Sequence, residues 1–300
     1  MEAQQYKFPT SILLYPPGSV LDEKSFRVAV PETAPLPVFV CHPPKTGSTT
    51  LRSWVLHAYG DTTLWDSGEE DLVTFGDAFA HVAKKWGVLS SETGLIHRVL
   101  KVAGKEGVPI SSSIAIIRDP LERFQSAYTN KLACGSHDVG VDTLDRERML
   151  GLLRESAAKY ELPGLALLAN QPCLSPADAV QLLVYANQTF DAEGYDTSHN
   201  DNTDGKSCLE THFEPWTSTC RFDAIDYDVL VPIENTQKLV QSLQVKFGLP
   251  GITDFEILHS TVHKKDVFTE EQKAIIRNVY RADYEMMRTK PISSGDIVLP

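Results

Sequence analysis

The sequence predicts an α/β fold, a parallel sheet flanked by helices, and three observations predict it. First, short apolar runs rich in β-branched residues recur along the chain. Residues 37–42 (Pro-Val-Phe-Val-Cys-His) and Ser112 to Arg118 (Ser-Ser-Ile-Ala-Ile-Ile-Arg) are the clearest. They have strand length, and the continuity of the second reads as burial on both faces. Second, each run leads into a helix signal, so strands and helices alternate. Third, the loop after the first run is Pro44-Lys45-Thr46-Gly47-Ser48-Thr49-Thr50. Small residues and a Lys between strand and helix form the layout that binds phosphate, so the sheet is expected to be P-loop-like. With 300 residues and 42% hydrophobic content, the chain can bury a full core. We read residues 1–36, Pro-rich and without periodicity, as an N-terminal arm laid on the surface. Residues 37–300 read as a single domain.

The remaining elements follow in chain order. The helix after the loop runs from Ser48 to about Tyr59, with Leu51, Trp54, Val55 and Ala58 on one face and Gly60 closing it. Residues 61–92 carry a helix, with Phe75, Phe79, Val82 and Trp86 at helical spacing, and Thr93 to His97 is a short strand. After the strand ending at Arg118, Asp119 caps a helix that Pro120 opens. Its apolar stripe is Leu121, Phe124, Tyr128 and Leu132. Residues 145–160 and 175–190 give two more helices. Ser175 caps the second, Pro176 takes its first turn, and Asp178 suits the helix dipole. Residues 194–211 are polar and read as a loop. Tyr227 to Ile233 is a strand, and residues 235–247 are a helix stopped by Gly248. Thr269-Glu270-Glu271-Gln272 is a capping box that opens a last helix reaching about Thr289.

Composition narrows the partners. A formal net charge of −12 makes the chain a poor binder of nucleic acid or anionic membrane. No apolar run approaches the roughly 20 residues of a spanning helix. The N-terminus shows neither the basic region nor the apolar stretch of a signal peptide, so the cytoplasm is the expected location. The five cysteines, Cys41, Cys134, Cys173, Cys208 and Cys220, contain no C-x-x-C pair and make no zinc motif. Cys208 and Cys220 flank a short polar stretch and can pair in an oxidising compartment; free buried thiols are the plainer reading. Asn187-Gln188-Thr189 fits a glycosylation acceptor pattern, at an expected helix end.

Two segments carry the signal for phosphate. In the loop, Gly47 lets the backbone approach an anion, and the amides of residues 46–50 stand at a helix N-terminus whose dipole favours negative charge. Lys45 adds a positive charge, and Ser48, Thr49 and Thr50 add hydroxyls, one of which can serve as a cap. The order is not that of a nucleoside-triphosphate loop: Lys45 precedes Gly47, and no Gly lies five residues upstream. The second segment is Arg118-Asp119-Pro120-Leu121-Glu122-Arg123-Phe124-Gln125-Ser126-Ala127-Tyr128. Arg118 ends the strand and Ser126 follows two helical turns on. An Arg suits bidentate phosphate contact and a Ser adds a hydroxyl. Arg123 is expected to point out of the first turn. Pairing of Arg118 with Asp119 or Glu122 is the structural alternative.

Taken together, the two segments resemble those of the 3′-phosphoadenosine-5′-phosphosulfate (PAPS)-dependent sulfotransferases. The likeness is to the carbohydrate branch, which includes heparan 2-O- and chondroitin/dermatan 4-O-sulfotransferases. The resemblance implies that Lys45, Thr46, Gly47, Ser48, Thr49 and Thr50 hold the 5′-phosphosulfate. It implies that Arg118 and Ser126 hold the 3′-phosphate. Thr211-His212-Phe213-Glu214-Pro215-Trp216, followed by Cys220, Tyr227-Asp228 and Glu234, is similar to a segment of the chondroitin-type enzymes. Val279-Tyr280-Arg281-Ala282-Asp283-Tyr284-Glu285 is similar to their closing helix. Residues 61–92 and 133–205 resemble nothing we can name, and acceptor specificity is expected there. The family's membrane anchor is missing from this sequence, which leaves the Golgi lumen as the alternative location.

The implied chemistry is in-line transfer of a sulfuryl group from PAPS to a hydroxyl of a carbohydrate or small-molecule acceptor, leaving adenosine 3′,5′-bisphosphate. The protein positions the partners and stabilises charge on the leaving oxygens, a role for Lys45, and a general base takes the hydroxyl proton. No metal is required. Among nine histidines, His97 ranks first, because it precedes Arg118 by a spacing similar to that of the catalytic His of uronyl 2-O-sulfotransferases. His212, in a segment that reads as a packed corner, and His42, two residues before the loop, follow. Glu69, Glu70 and Glu92 are weaker carboxylate candidates. A small-molecule kinase, which would bind ATP and magnesium, and a non-catalytic nucleotide-binding module are the competing readings.

Overall fold

The computed structural model describes residues 11–14, 16, 20–22, 27–29, 33–47, 50–51, 54–55, 58, 89–91, 110–133, 150–151, 153–154, 157–158, 161–193, 212–222, 225–249, 267–293, 297 and 299. They gather into two compact units. One comprises Met1–Ile117, Thr217–Ser260 and Lys290–Pro300, and the other comprises Arg118–Trp216 and Thr261–Thr289.

The first unit is built on a five-stranded sheet with the order β5-β1-β4-β6-β7. Its strands are β1 (Ser11–Leu14), β4 (Val38–Cys41), β5 (Leu89–Ser91), β6 (Ser112–Ile117) and β7 (Val229–Pro232). A separate antiparallel pair joins β2 (Val20–Asp22) to β3 (Arg27–Ala29). β4, β6 and β7 are parallel neighbours, with Cys41 opposite Ala115 and Ile117 opposite Pro232. The α/β expectation holds, with one correction to the parallel sheet. β1 lies between β4 and β5 and is antiparallel to both.

The same strand corrects the reading of residues 1–36 as a surface arm. Ile12 and Leu14 are fully buried, so the sheet begins at Ser11 and not at residue 37. The physical reason is the flank of β4. All four of its residues are buried, and an open edge there would leave its N–H and C=O groups unpaired.

Helices cover this sheet with the expected residues. Thr50, Leu51, Trp54, Val55 and Ala58 have helical backbone, and the last four pack with Val38, Val40, Ile114 and Ile116 in one core. The helix Thr236–Phe247 adds Leu239, Val240, Leu243 and Phe247 to that core. It stops at Gly248, whose φ of 61° is the left-handed cap the sequence predicts. The strand expected over Tyr227 to Ile233 is shorter and passes into a 3-10 turn at Ile233–Asn235. Within the helix expected over 61–92, Leu89–Ser91 is strand and the rest lies outside the described residues, as do Thr93 to His97.

The second unit is helical. Its members are α1 (Pro120–Lys131), α2 (Pro163–Ala169), α3 (Pro176–Glu193), α5 (Glu270–Val279) and α6 (Arg281–Thr289); the sheet-covering helix Thr236–Phe247 of the first unit is α4. Local signals account for their starts. Ser175 Oγ donates to Asp178 Oδ2 (2.6 Å) and accepts from the Asp178 N–H (3.2 Å), closing the first turn of α3. Thr269 and Gln272 form the full capping box of α5. The single helix expected from Thr269 to Thr289 is two, broken at Tyr280. The core of this unit gathers Phe124, Tyr128, Leu165, Leu183, Phe213, Phe268, Ile276 and Tyr280. The rings of Phe124 and Phe213 meet edge to face at 5.8 Å.

Both cysteine readings are corrected. Cys220 is bonded to Cys41 across 179 residues of sequence, not to Cys208, and neither is a free thiol. Cys173 is disulfide-bonded as well, its partner outside the described residues. Asn187 lies inside α3 and not at its end, where a helical backbone is a poor glycosylation acceptor. Among the described residues no helix is long and apolar enough to cross a membrane.

Candidate active site

β4 ends at Cys41 and the chain turns at once. The Thr46 N–H donates to the Pro43 carbonyl (3.2 Å), and Thr46 Oγ1 donates to the same oxygen (2.5 Å). Pro44 takes the second position of this turn and Lys45 the third, with φ of 66°. Pro followed by a left-handed residue is the pattern of a type II turn. A left-handed Lys costs about 1–2 kcal/mol, strain that the tertiary frame must hold. Gly47 is left-handed too, at φ 78°. Backbone curled by left-handed residues makes the concavity that receives anions.

The helix starts directly from this loop, because the Leu51 N–H donates to the Gly47 carbonyl (3.0 Å). Thr50, in its first turn, is 3% exposed, and its Oγ1 has no hydrogen-bond partner among the described residues. A buried hydroxyl left unmatched costs about 1–3 kcal/mol, so this one suits a ligand oxygen. The donor set fits an anion. The fit refines two expectations. Thr46 is the hydroxyl committed to structure, since it closes the turn. Glycine is required at 47 by its φ and not by space: a Cβ there would meet Ile233 Cγ1 at 3.5 Å and Thr236 Oγ1 at 3.8 Å, ordinary contacts. Ser48 and Thr49 lie outside the described residues.

The strand feeding the loop is tied within its own unit. The Cys41–Cys220 disulfide joins its last residue to the segment before β7. The Tyr227 hydroxyl donates to the Cys220 carbonyl (2.7 Å), and its ring stacks on Phe39 at 6.1 Å. Burial pushes the Tyr227 phenol well above its ordinary range, so it stays a donor. Asp228 Oδ2 accepts from the Ser113 N–H (2.7 Å) and from Ser113 Oγ (2.9 Å), locking the start of β7 to β6.

The second predicted segment belongs to the helical unit. Asp119 caps α1 by accepting the Glu122 N–H at Oδ1 (3.0 Å). Arg118 Nε lies 3.7 Å from Glu122 Oε2; the Arg side chain is 14% exposed and the Glu 66%. A pair with one partner so exposed stabilises little, so the Arg118–Glu122 contact does not by itself account for a half-buried Arg. Ser126 is buried, at 1% exposure.

Arg123 corrects the sequence reading. It does not point out of the first turn but is 1% exposed and donates from Nη1 to the Glu214 carbonyl (2.5 Å). Its position beside Phe124 and one turn before Ala127 was the available signal, since all three share the buried face. The buried face is accordingly Pro120, Arg123, Phe124, Ser126, Ala127, Tyr128 and Lys131, continued by the expected Leu132 just past the helix end, with Leu121 half-buried.

The closing helix also has roles that motif reading alone did not supply. The Tyr280 hydroxyl donates to the Phe213 carbonyl (2.6 Å), and the fully buried Asp283 accepts the Trp216 N–H at Oδ2 (3.0 Å). The Tyr284 hydroxyl donates to Asp119 Oδ1 (3.3 Å) and accepts from the Leu121 N–H (3.2 Å).

Of the candidate bases, His42 is fully buried, which removes it from an acceptor's reach, and His212 is half-buried in the helical unit. His97, Glu69, Glu70 and Glu92 lie outside the described residues.

A curled loop with a Lys, feeding a helix from the end of a parallel strand, is the arrangement of an anion-receiving loop in an α/β protein. Residues 36–288 match the model of the sulfotransferase family; the chain belongs to that family and is a sulfotransferase. The match runs through both compact units and includes the loop, Arg118, Ser126 and the closing helix. No curated protein and no solved structure matches the chain.

Proposed function

We propose that this sulfotransferase takes its sulfuryl group from PAPS and gives it to a hydroxyl of a carbohydrate or small-molecule acceptor. The observation that carries the reading is the loop at 44–50, where left-handed Lys45 and Gly47 curl the backbone and the buried Thr50 hydroxyl that follows has no partner among the described residues. In this reading the Lys45 to Thr50 loop holds the 5′-phosphosulfate, with Thr46 shaping the turn rather than donating to the ligand, and Arg118 with Ser126 hold the 3′-phosphate. The acceptor oxygen attacks sulfur in line, the bond from sulfur to the phosphate oxygen breaks, and adenosine 3′,5′-bisphosphate leaves. The Lys45 ammonium stabilises the charge that grows on the leaving oxygen. The acceptor proton passes to a general base, for which His97 is the proposed residue and His212 the next.

Titration with adenosine 3′,5′-bisphosphate and, separately, with ATP plus magnesium tests the donor. A ligand that binds only the native state raises thermal stability by mass action. The bisphosphate is expected to raise the melting temperature at micromolar to millimolar levels and ATP to do less. Preference for ATP, or no response to the bisphosphate, would overturn the reading in favour of a kinase-like site. For the base, His97→Ala is expected to lower turnover roughly 100- to 10,000-fold with nucleotide binding retained; a small loss would move the role to His212.

The compartment enters the proposal through the cysteines. The Cys41–Cys220 bond and the bonded Cys173 favour folding in an oxidising compartment such as the Golgi lumen over the cytoplasm. Thiol counting on protein isolated under alkylation tests this.

A further inference from the structure

The amide groups that open α1 are all used inside the protein. Pro120 has no N–H. The Leu121 N–H goes to the Tyr284 hydroxyl (3.2 Å), the Glu122 N–H to Asp119 Oδ1 (3.0 Å), and the Arg123 N–H to the Asp119 carbonyl (2.9 Å). A phosphate beside this helix end would therefore find side chains and no spare backbone donor in the first turn. Its hold would depend on where the Arg118 side chain is carried, and Arg118 is joined directly to Asp119.

We propose that Tyr284 is a positioning residue for the 3′-phosphate: its hydroxyl fixes the Asp119–Leu121 backbone that carries Arg118. The inference rests on the reading that Arg118 binds that phosphate. One hydroxyl makes both contacts. It donates to the cap carboxylate at 3.3 Å and accepts the first free amide of the helix. Burial, and then the Asp119 charge, push the Tyr284 phenol up to about 12, so it remains a donor at neutral pH. The hydroxyl also ties α6 to the start of α1 across 163 residues of sequence.

Tyr284→Phe removes the hydroxyl and keeps the ring. The measurements are dissociation constants for adenosine 3′,5′-bisphosphate and for adenosine 5′-phosphate, which differ only at the 3′ position. The variant is expected to bind the bisphosphate roughly 10-fold more weakly and the 5′-phosphate within about 2-fold of wild type. With PAPS, the donor KM should rise by a similar factor while kcat stays close. Equal weakening of both nucleotides would mean general loosening and overturn the proposal, as would an unchanged bisphosphate constant. If Tyr284→Phe fails to fold, Asp119→Asn keeps a capping acceptor while weakening the bond to Tyr284. It is expected to show the same selective loss on a smaller scale, and no selective loss overturns the proposal. Arg118→Ala separates the two levels. If it too leaves the bisphosphate constant unchanged, the assignment of Arg118 has failed and takes this inference with it. If Arg118→Ala is selective and Tyr284→Phe is not, only the role of Tyr284 falls.

Discussion

The loop at 44–50 and the start of α1 are both read as phosphate sites, yet they are made by opposite means. In the loop the backbone does the work. Lys45 and Gly47 are held left-handed, the Thr46 hydroxyl is spent on closing the turn, and the Thr50 hydroxyl is buried without a described partner. At α1 the backbone is already satisfied, since Asp119 and Tyr284 take the first-turn amides, and in the proposed site recognition falls to the side chains of Arg118 and Ser126. A backbone site tolerates no change of φ but little depends on any one hydroxyl. A side-chain site tolerates backbone substitution but depends on each charged group and on whatever aims it.

The comparison yields a ranking of perturbations. Lys45→Ala should be the most damaging: removing a donor to developing charge costs roughly 100- to 1,000-fold in kcat, read from turnover with PAPS, with folding intact by melting temperature. A loss below 10-fold would mean that the loop binds its anion through backbone and hydroxyls alone. Arg118→Ala should weaken adenosine 3′,5′-bisphosphate roughly 10- to 100-fold, the range of a charge-assisted contact, and spare adenosine 5′-phosphate. Equal effects on both would erase the division of labour. Gly47→Ala should act on stability first, costing about 1–2 kcal/mol for a left-handed residue with a Cβ, seen in chemical unfolding. Its neighbours leave room for the methyl, so a loss well beyond that range would point to crowding instead.

The smallest effect is alkaline. Burial, and then the Asp119 charge, push the Tyr284 phenol up to about 12 in the folded chain, from an ordinary value of 10.0. Its folded value is raised, so the folded state holds the proton more tightly. Its stabilisation is complete below pH 10 and is lost as pH rises toward 12. Wild type should therefore lose melting temperature more steeply than Tyr284→Phe over that window. Parallel curves would show that the hydroxyl adds nothing to the α1 site.

How much of this was legible depends on the range of the interaction. Ser175 with Asp178, Thr269 with Gln272, Asp119 before Pro120 and Gly248 after a helix are contacts within four residues, and each stands where the sequence puts it. The loop at 44–50 was legible for the same reason. β1 was not: four residues in a Pro-rich arm carry no periodic signal, and only pairing with β4 and β5 makes them a strand. Arg123 was misread because burial of a charge depends on a distant acceptor, the Glu214 carbonyl. The Cys41–Cys220 bond, across 179 residues, is beyond any spacing rule.

What the amino-acid order determined by itself is therefore the loop turn and the helix caps, because short-range sterics and hydrogen bonding dictate them, together with the residue types on which the proposal of two phosphate sites rests. Tertiary structure decided which of those groups remain for a ligand. It committed the Thr46 hydroxyl and the Arg123 guanidinium to the fold and kept the Thr50 hydroxyl out of it. It also brought Tyr284 to the first turn of α1. The physical reason is that a buried polar group must find a partner, and in a folded chain that partner is set by packing between segments far apart in sequence.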